Sequence, residues 1–169
     1  DKQFVIVVSS TRAGEEDIIL NFFKRVNLSN IVVIIVPRHP ERFSMVSKIF
    51  ESYQLPYVRK SALKKLTSTP QYILGDSMGE LYEYYGLANL VVMGGSIKNT
   101  GSQNIIEPMM LNRPIAVGPS IFNFKDIIET SQKKGLVFRF SQVEELEGII
   151  FRLIKSKELK ENIRKKTNI

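Results

Sequence analysis

Short apolar segments alternate along the chain with stretches of helical periodicity, and this alternation restricts the fold more than any other feature. The apolar segments, predicted as strands, are residues 4–8, 31–36, 57–59, 72–74, 90–93, 114–117 and 136–140. Strands separated by helices of about 10–15 residues form right-handed βαβ units, which require a parallel sheet covered on both faces. The sequence therefore predicts an α/β fold, a Rossmann-like doubly wound parallel sheet.

The connecting stretches are predicted as helices with a few interruptions. The first runs from the polar segment 9–16 through Arg25, and the second from the turn at residues 37–42 to about residue 53. Two more cover about residues 78–85 and 104–111, a fifth runs from residues 118–124 to Lys134, and a long last helix follows Ser141 as N-cap. Residues 61–70 have no clear period and are predicted as a surface loop or a broken helix.

The composition indicates a single soluble domain. The 169 residues are 43% hydrophobic, enough for one sizeable core. The absence of Cys excludes disulfides and thiolate metal sites, and with no signal-peptide pattern it favours a reducing, cytoplasmic setting. The longest apolar runs are too short to cross a bilayer.

The net charge of +7 would suit phosphate-bearing ligands, an anionic membrane surface or nucleic acid. Much of that excess lies in residues 155–166, where Glu158 and Glu161 alternate with cations as on an exposed helix, so nucleic acid is not an expected partner.

The stretch 90–108 is the first candidate for a ligand site. An apolar run ends in Gly94-Gly95-Ser96, and a helix is predicted to begin at Asn104 with Glu107 three residues later. The free N–H groups of the glycine turn and the helix start would favour an anion. The alternative is a capping box, in which Glu107 only bonds the Asn104 N–H.

Polar clusters follow several of the predicted strands. They are Ser10-Thr11-Arg12, Pro37-Arg38-His39 and residues 75–80, 94–107 and 119–124. In open α/β sheets ligands bind beyond the carboxyl ends of the strands, so we expect these clusters to share one ligand site.

The same segments carry a family resemblance. They read Ser10-Thr11-Arg12-x-Gly14-Glu15-Glu16, Pro37-Arg38-His39-Pro40-Glu41-Arg42, Gly75-Asp76-x-Met78-Gly79-Glu80-Leu81, Gly94-Gly95-Ser96, Asn104-x-x-Glu107-Pro108 and Gly118-Pro119-x-x-Phe122-Asn123-Phe124. In this order they resemble the C-terminal half of 3-deoxy-D-manno-octulosonic acid (Kdo) transferase, a GT-B glycosyltransferase of lipopolysaccharide biosynthesis. That enzyme transfers Kdo from CMP-Kdo to a lipid A precursor.

The resemblance implies a domain organisation and a location. Residues 1–169 would form the nucleotide-sugar (CMP-Kdo) binding domain, and the N-terminal acceptor domain would be absent from this chain. The full-length protein would work on the cytoplasmic side of the bacterial inner membrane. Because the family's general base lies in the N-terminal half, the fragment is expected to bind CMP without transferring sugar.

The resemblance also implies binding residues. They are Pro37, Arg38, Met78, Gly79, Glu80, Gly94, Gly95, Ser96, Asn104, Ile105, Ile106 and Glu107. Arg38 would stabilise the departing phosphate through its planar, permanently charged fork. Glu107 would accept hydrogen bonds from the ribose diol, and the backbone of residues 78–80 would meet the cytosine edge. Either the Met78 side chain contacts the base or it faces the core of a helix.

Several features qualify these expectations. The family usually has histidines where this chain has Gln103 and Ser120, and Gln103 cannot carry a proton. His39, between Arg38 and Pro40, is expected to hold its turn rather than to act in catalysis. No metal or other cofactor is expected, since the sequence has no Asp-x-Asp, no Cys and one His. The competing interpretations are a UDP-sugar-dependent GT-B domain and a non-catalytic nucleotide-binding module.

Overall fold

The computed structural model describes residues 3–26, 28–65 and 69–167. This part of the chain contains a seven-stranded sheet. The strands are β1 (Phe4–Thr11), β2 (Ile31–Pro37), β3 (Tyr57–Arg59), β4 (Tyr72–Leu74), β5 (Leu90–Met93), β6 (Ile115–Val117) and β7 (Val137–Arg139). Neighbouring strands pair in parallel in the order β3-β4-β2-β1-β5-β6-β7. The predicted parallel α/β fold is confirmed.

Helices connect the strands. They are α1 (Glu15–Val26), α2 (Phe43–Ser52), α3 (Leu81–Leu87), α4 (Ile106–Met110), α5 (Lys125–Lys133), α6 (Leu146–Lys155) and α7 (Lys157–Thr167), with 3₁₀ turns at Pro40–Arg42, Lys60–Lys65 and Val143–Glu145. Among the described residues, no helix combines the length and the apolar character needed to cross a bilayer.

The helices cover both faces of the sheet because successive strand residues point to opposite sides. Ile6 and Val8 of β1 pack in one buried cluster with residues of α1, α2 and α6. Val7 packs in a second cluster with Tyr85 of α3 and Ile128 of α5. Every residue of β2 is buried, as expected for a central strand of a doubly wound sheet.

The strand order reverses at β1. The chain leaves β1 toward β2, β4 and β3 on one side and continues through β5, β6 and β7 on the other. Open α/β sheets bind ligands in the crevice at such a reversal, beyond the carboxyl ends of the strands. The loops after β1 and β5 therefore border the expected ligand site.

The first strand is longer than predicted. It continues through Ser9, Ser10 and Thr11, which are buried rather than in a polar loop. Their polarity is accommodated inside the fold, since Tyr85 donates to the Ser9 hydroxyl and Thr11 donates to Glu16. Ser10 has a φ of 55°, and the pairing register with β2 shifts between Ser9 and Thr11.

Three predicted helix boundaries are corrected by the backbone. The helix placed at residues 78–85 begins at Leu81, because Gly79 has a left-handed φ of 79° that a helix does not accommodate. Ser141 does not cap the last helix; Glu145 accepts the N–H groups of residues 141 and 142, and α6 begins one residue later. The long C-terminal helix is two helices, separated at Ser156 (φ −104°, ψ 101°).

Candidate functional site

The predicted binding residues lie at one edge of the sheet. Pro37 ends β2 and Arg38 follows it; residues 78–80 lie between β4 and α3; residues 94–96 follow β5; and residues 104–107 lead into the first turn of α4. Because β4, β2, β1 and β5 are neighbours and parallel, their carboxyl ends bring these segments to a common edge.

Gly94 permits the close approach of the two central strands. Its N–H donates to the Ser9 carbonyl at 2.7 Å. A Cβ atom at this position would lie 2.4 Å from the carbonyl oxygens of Ser9 and Ser10. A residue with a side chain therefore cannot occupy the position without moving backbone.

A buried carboxylate accepts hydrogen bonds from the backbone N–H groups of the glycine loop. Glu15, at the start of α1, is fully buried. Its Oε2 atom accepts from the Gly95 N–H at 2.8 Å, and its Oε1 atom accepts from the N–H groups of Ile97 and Lys98 at 3.0 and 3.2 Å. The prediction that the N–H groups of Gly94 and Gly95 would receive an anion is corrected, because both donate to protein acceptors.

Ser96 lies inside the protein and joins two loops. Its hydroxyl donates to the Met93 carbonyl at 2.5 Å and accepts from the Gly118 N–H at 2.8 Å. Its carbonyl accepts from the Ser120 N–H at 2.9 Å. The Ser120 hydroxyl in turn accepts from the Gly101 N–H at 2.8 Å, so this serine shapes the loop at a position where the resemblance leads one to expect histidine.

The approach to α4 combines buried and exposed residues. The Asn104 side-chain oxygen accepts the Ile106 N–H at 3.0 Å, but the N-cap of the helix is the fully buried Ile105, so the prediction that Asn104 is the N-cap is wrong. Glu107 is exposed, and within the described residues its carboxylate makes no hydrogen bond to the Asn104 N–H. The capping-box alternative is therefore not formed. The helix has only five residues, so its dipole adds little to anion binding.

The loop after β2 presents a cation. The Arg38 side chain is exposed and has no hydrogen-bonding or ionic partner among the described residues, whereas its N–H donates to the Thr11 carbonyl at 3.0 Å. The guanidinium of Arg12 lies 3.0 Å from Nε2 of His39. Since arginine only donates, His39 accepts, and this contact joins the β1–α1 and β2–α2 loops. Arg42 pairs with the buried Glu16 at 2.9 Å. Unlike Arg12 and Arg42, Arg38 thus has a solvent-exposed guanidinium with no partner among the described residues.

The segment before α3 leaves its backbone accessible. Met78 is 62% exposed, so the alternative that its side chain faces the core is wrong. Around Gly79 there is open space where a Cβ atom would point. Glu80 is held by Lys60 at 3.1 Å and by the hydroxyls of Ser77 and Tyr84. The Ser77 and Lys60 contacts hold the pKa of the Glu80 carboxyl below its usual value.

Two buried tyrosines lie behind these loops. Burial raises the pKa of Tyr84 and that of Tyr85 to about 12. The negative charge of Glu107 contributes to the rise at Tyr85, so its carboxylate lies within electrostatic range of that ring. Neither hydroxyl is suited to proton transfer near neutral pH.

Glu15 and Glu16 are part of a sequence motif, but the sequence pattern predicted no role for either residue. Acidic residues in a first helical turn are usually exposed, and nothing in the pattern distinguished these two from such residues. Their burial follows from three-dimensional partners that are distant in sequence. In the described part of the chain, no three His, Asp or Glu side chains group as a metal site would require.

Comparisons with known proteins agree with this geometry. A crystal structure of the C-terminal CMP-Kdo binding domain of WaaA from Acinetobacter baumannii superposes with a TM-score of 0.91 and 33% identity, over 99% of this chain and 89% of that one. The 3-deoxy-D-manno-octulosonic acid transferase of Haemophilus influenzae is 33% identical over 160 residues, which are 93% of this chain and 38% of the relative. A glycosyltransferase from Rickettsia africae shares the fold alone, with a TM-score of 0.64 and 14% identity over 99% of this chain and 43% of that one. No family model matches the chain.

The parallel sheet and the loops at its carboxyl edge define the C-terminal domain of a GT-B glycosyltransferase. The chain belongs to the 3-deoxy-D-manno-octulosonic acid (Kdo) transferase family. It spans 38% of the length of the Haemophilus relative and corresponds to the C-terminal domain of that family.

Proposed function

We propose that this chain binds CMP-Kdo as the donor domain of an enzyme that transfers Kdo to a lipid A precursor and releases CMP. The observation that carries the proposal is the match, at 33% identity over 99% of the chain, to a domain described as CMP-Kdo binding. The exposed groups at the carboxyl edge of the sheet that have no partner among the described residues support it, because they are the types of group that a nucleoside monophosphate requires.

Arg38 is proposed to bind the phosphate. Its guanidinium is exposed and unpaired among the described residues, while the loop that carries it is fixed through the Thr11 carbonyl and the contact between Arg12 and His39. A bidentate contact to phosphate oxygens would orient the donor and stabilise the charge that develops as CMP departs. Pro37 is buried at the end of β2 and directs the chain toward this position.

Glu107 and the segment 78–80 are proposed to bind the nucleoside. The exposed Glu107 carboxylate offers two acceptor oxygens to the ribose diol. Open space at Gly79 would let the cytosine approach the backbone, with Met78 contributing apolar contact. The residues around the glycine loop that lie inside the protein, Gly94, Gly95, Ser96 and Ile105, would act by shaping the site, and the exposed Asn104 and Ile106 would border it.

In the transfer step the bond between the anomeric carbon of Kdo and a phosphate oxygen breaks. An acceptor hydroxyl oxygen forms the new bond to that carbon, and its proton passes to a base. We propose that the base belongs to a second, N-terminal domain of the full-length protein, and that residues 1–169 alone bind CMP without transferring sugar. The proposal includes no metal ion, since Arg38 supplies the positive charge that the departing phosphate needs.

The proposed partners beyond the donor are a lipid A precursor and an anionic membrane surface, on the cytoplasmic side of the bacterial inner membrane. The C-terminal helices carry cations that suit such a surface: Lys155, Lys157, Lys160, Lys165 and Lys166. Arg164 belongs to the same basic stretch, but its side chain lies outside the described part of the chain. Phe151 and Ile154, each 40% exposed, lie on the same helix as Lys155 and would add apolar contact.

Thermal-shift and calorimetric titrations with CMP and UDP test the proposal. CMP should raise the melting temperature at concentrations where UDP has little effect, and EDTA should not change the result. Equal or stronger binding of UDP would favour the UDP-sugar-dependent interpretation. Binding of neither nucleotide would contradict the proposed donor site.

A further inference from the structure

The most extensively bonded buried acid of the described chain lies next to the donor site without lining it. Glu15 is fully buried and accepts four backbone N–H groups. Its Oε2 atom takes those of Arg12 and Gly95, both at 2.8 Å, and its Oε1 atom takes those of Ile97 and Lys98. An ionised carboxylate has about four acceptor positions, so these donors use its full capacity.

This arrangement exceeds what helix capping requires. A local cap would need only the Arg12 N–H, three residues before Glu15. The other three donors come from the loop between β5 and α4, more than 75 positions along the chain. The Lys98 side chain also lies over Gly14, where a Cβ atom would be 2.6 Å from Lys98 Nζ. The Glu15 carboxylate therefore links the loop between β1 and α1 to the loop between β5 and α4 by hydrogen bonds.

The held segment leads directly to the nucleotide residues. Gly95 has a φ of 71°, and while its N–H is held by Glu15 its carbonyl accepts from the Ser102 N–H at 2.6 Å and from the Thr100 hydroxyl at 2.8 Å. Ser102 is two residues before Asn104, whose side-chain oxygen accepts the N–H of Ile106, the residue before Glu107. The two peptide groups that flank the Gly95 Cα atom are thus both held, and the path to residues 104–107 starts from them.

We infer that Glu15 is a positioning residue for the donor site: it fixes the Gly95–Lys98 segment so that residues 104–107 are held in their binding arrangement before the nucleotide arrives. This inference rests on the proposed function, since it concerns the same site. Glu15 does not touch the ligand, because it has no exposed surface. Its effect on affinity is exerted through the population of the binding-competent loop.

The test compares two neighbouring buried acids by calorimetric CMP titration of the folded 169-residue chain. Glu15→Gln replaces one acceptor oxygen by an amide that faces N–H donors. If the loop is then competent in about a tenth of the molecules, the apparent Kd for CMP rises about tenfold. The control is Glu16→Gln, since Glu16 is equally buried but bonds Thr11 and Arg42 and not the glycine loop. The control should lower the melting temperature while changing the Kd for CMP less than about twofold.

Amide exchange on the unmodified chain provides a second measurement that does not depend on a variant folding. The amides of Gly95, Ile97 and Lys98 are expected to exchange slowly without ligand, at rates comparable to those expected for the amides of β1. Fast exchange at these positions, or an unchanged Kd in a folded Glu15→Gln chain, would overturn the inference while leaving CMP binding intact. Failure of the unmodified chain to bind CMP would overturn the proposed function and this inference together.

Discussion

The guanidinium of Arg12 donates to Nε2 of His39 across 3.0 Å and thereby joins the loops that follow β1 and β2. The next residue toward the strand, Arg38, is exposed and unpaired among the described residues. Two adjacent side chains therefore differ in what they contact. His39 binds another loop of the protein, whereas Arg38 is available to a ligand.

Replacing Arg38 should affect the phosphate selectively. A charge-assisted pair contributes roughly 1.5–3 kcal/mol, so Arg38→Ala should weaken CMP binding by about one to two decades and leave cytidine binding nearly unchanged. Arg38→Lys should recover only part of the loss, because an ammonium cannot form the bidentate contact. His39→Ala is the comparison: it removes the contact with Arg12 but keeps the Arg38 cation, so it should reduce stability and weaken CMP binding less than Arg38→Ala does. Equal losses for CMP and cytidine in Arg38→Ala would remove Arg38 from the phosphate site.

Glu107→Gln should separate ligand binding from stability. We expect this change to weaken the binding of CMP more than that of 2′,3′-dideoxy-CMP, since only CMP has the ribose diol. The melting temperature of the free chain should fall only slightly, because the capping-box bond is not formed. Asn104→Ala, by contrast, removes one hydrogen bond, to the Ile106 N–H, and should cost about 0.5–1.5 kcal/mol of stability. Equal weakening of both nucleotides by Glu107→Gln would argue against the ribose contact.

Gly94→Ala should strongly destabilise the fold. The added methyl group would lie 2.4 Å from two backbone carbonyl oxygens, so β1 and β5 would have to separate. Overpacking of this kind typically costs about 1–3 kcal/mol. The expected loss is measured as the decrease in the free energy of unfolding, obtained by urea denaturation. Gly148→Ala is the control, since that glycine lies in α6 with open space around it, and there alanine should stabilise by roughly 0.5–1 kcal/mol. Similar stabilities for the two variants would contradict the close approach.

Glu80 should make stability depend on acid pH. Its folded-state pKa lies below the ordinary value of 4.5, chiefly through Ser77 and then Lys60. A carboxyl with a lowered pKa stabilises the fold above its unfolded pKa and loses that contribution as pH falls through the folded pKa. The stability difference between the unmodified chain and Glu80→Gln should therefore be present at pH 7 and shrink as the pH is lowered below 4.5. A difference that stays constant across this range would exclude Glu80 as its source.

Membrane association should be weak and electrostatic. Basic residues close to an anionic surface each contribute about 1 kcal/mol, an attraction that salt screens. Co-sedimentation should detect binding to anionic vesicles at low salt, reduced binding at high salt, and none to neutral vesicles. The charge-reversed pair Lys155→Glu and Lys157→Glu should bind less. Binding that ignores both lipid charge and salt, or no binding at low salt, would assign attachment to other parts of the full-length protein.

The sequence predicted the sheet well because strand signals in this chain are local. The runs that became β2 and β5 are continuously apolar, and the glycines after β5 mark the loop correctly. It failed where partners are distant. Ser9 looked like a loop residue because its partner Tyr85 lies 76 positions away. Thr11 looked like one because its nearby partner Glu16 is buried only through contacts that the pattern did not show. The glycine amides looked free because nothing local indicated that Glu15 would be buried against them.

The pairing of β1 with β5 also has a consequence for how the molecule folds. The first strand meets β2 through residues such as Phe4 and Ile31, but it meets β5 through pairs such as Ile6 and Leu90, which are far more distant in sequence. Closing the longer loop costs more chain entropy and slows formation of that contact. We expect the half containing β1 and β2 to assemble first. The carboxylate of Glu15 would then remain without its loop amides until β5 has joined the sheet, which makes completion of the donor crevice a late event in folding.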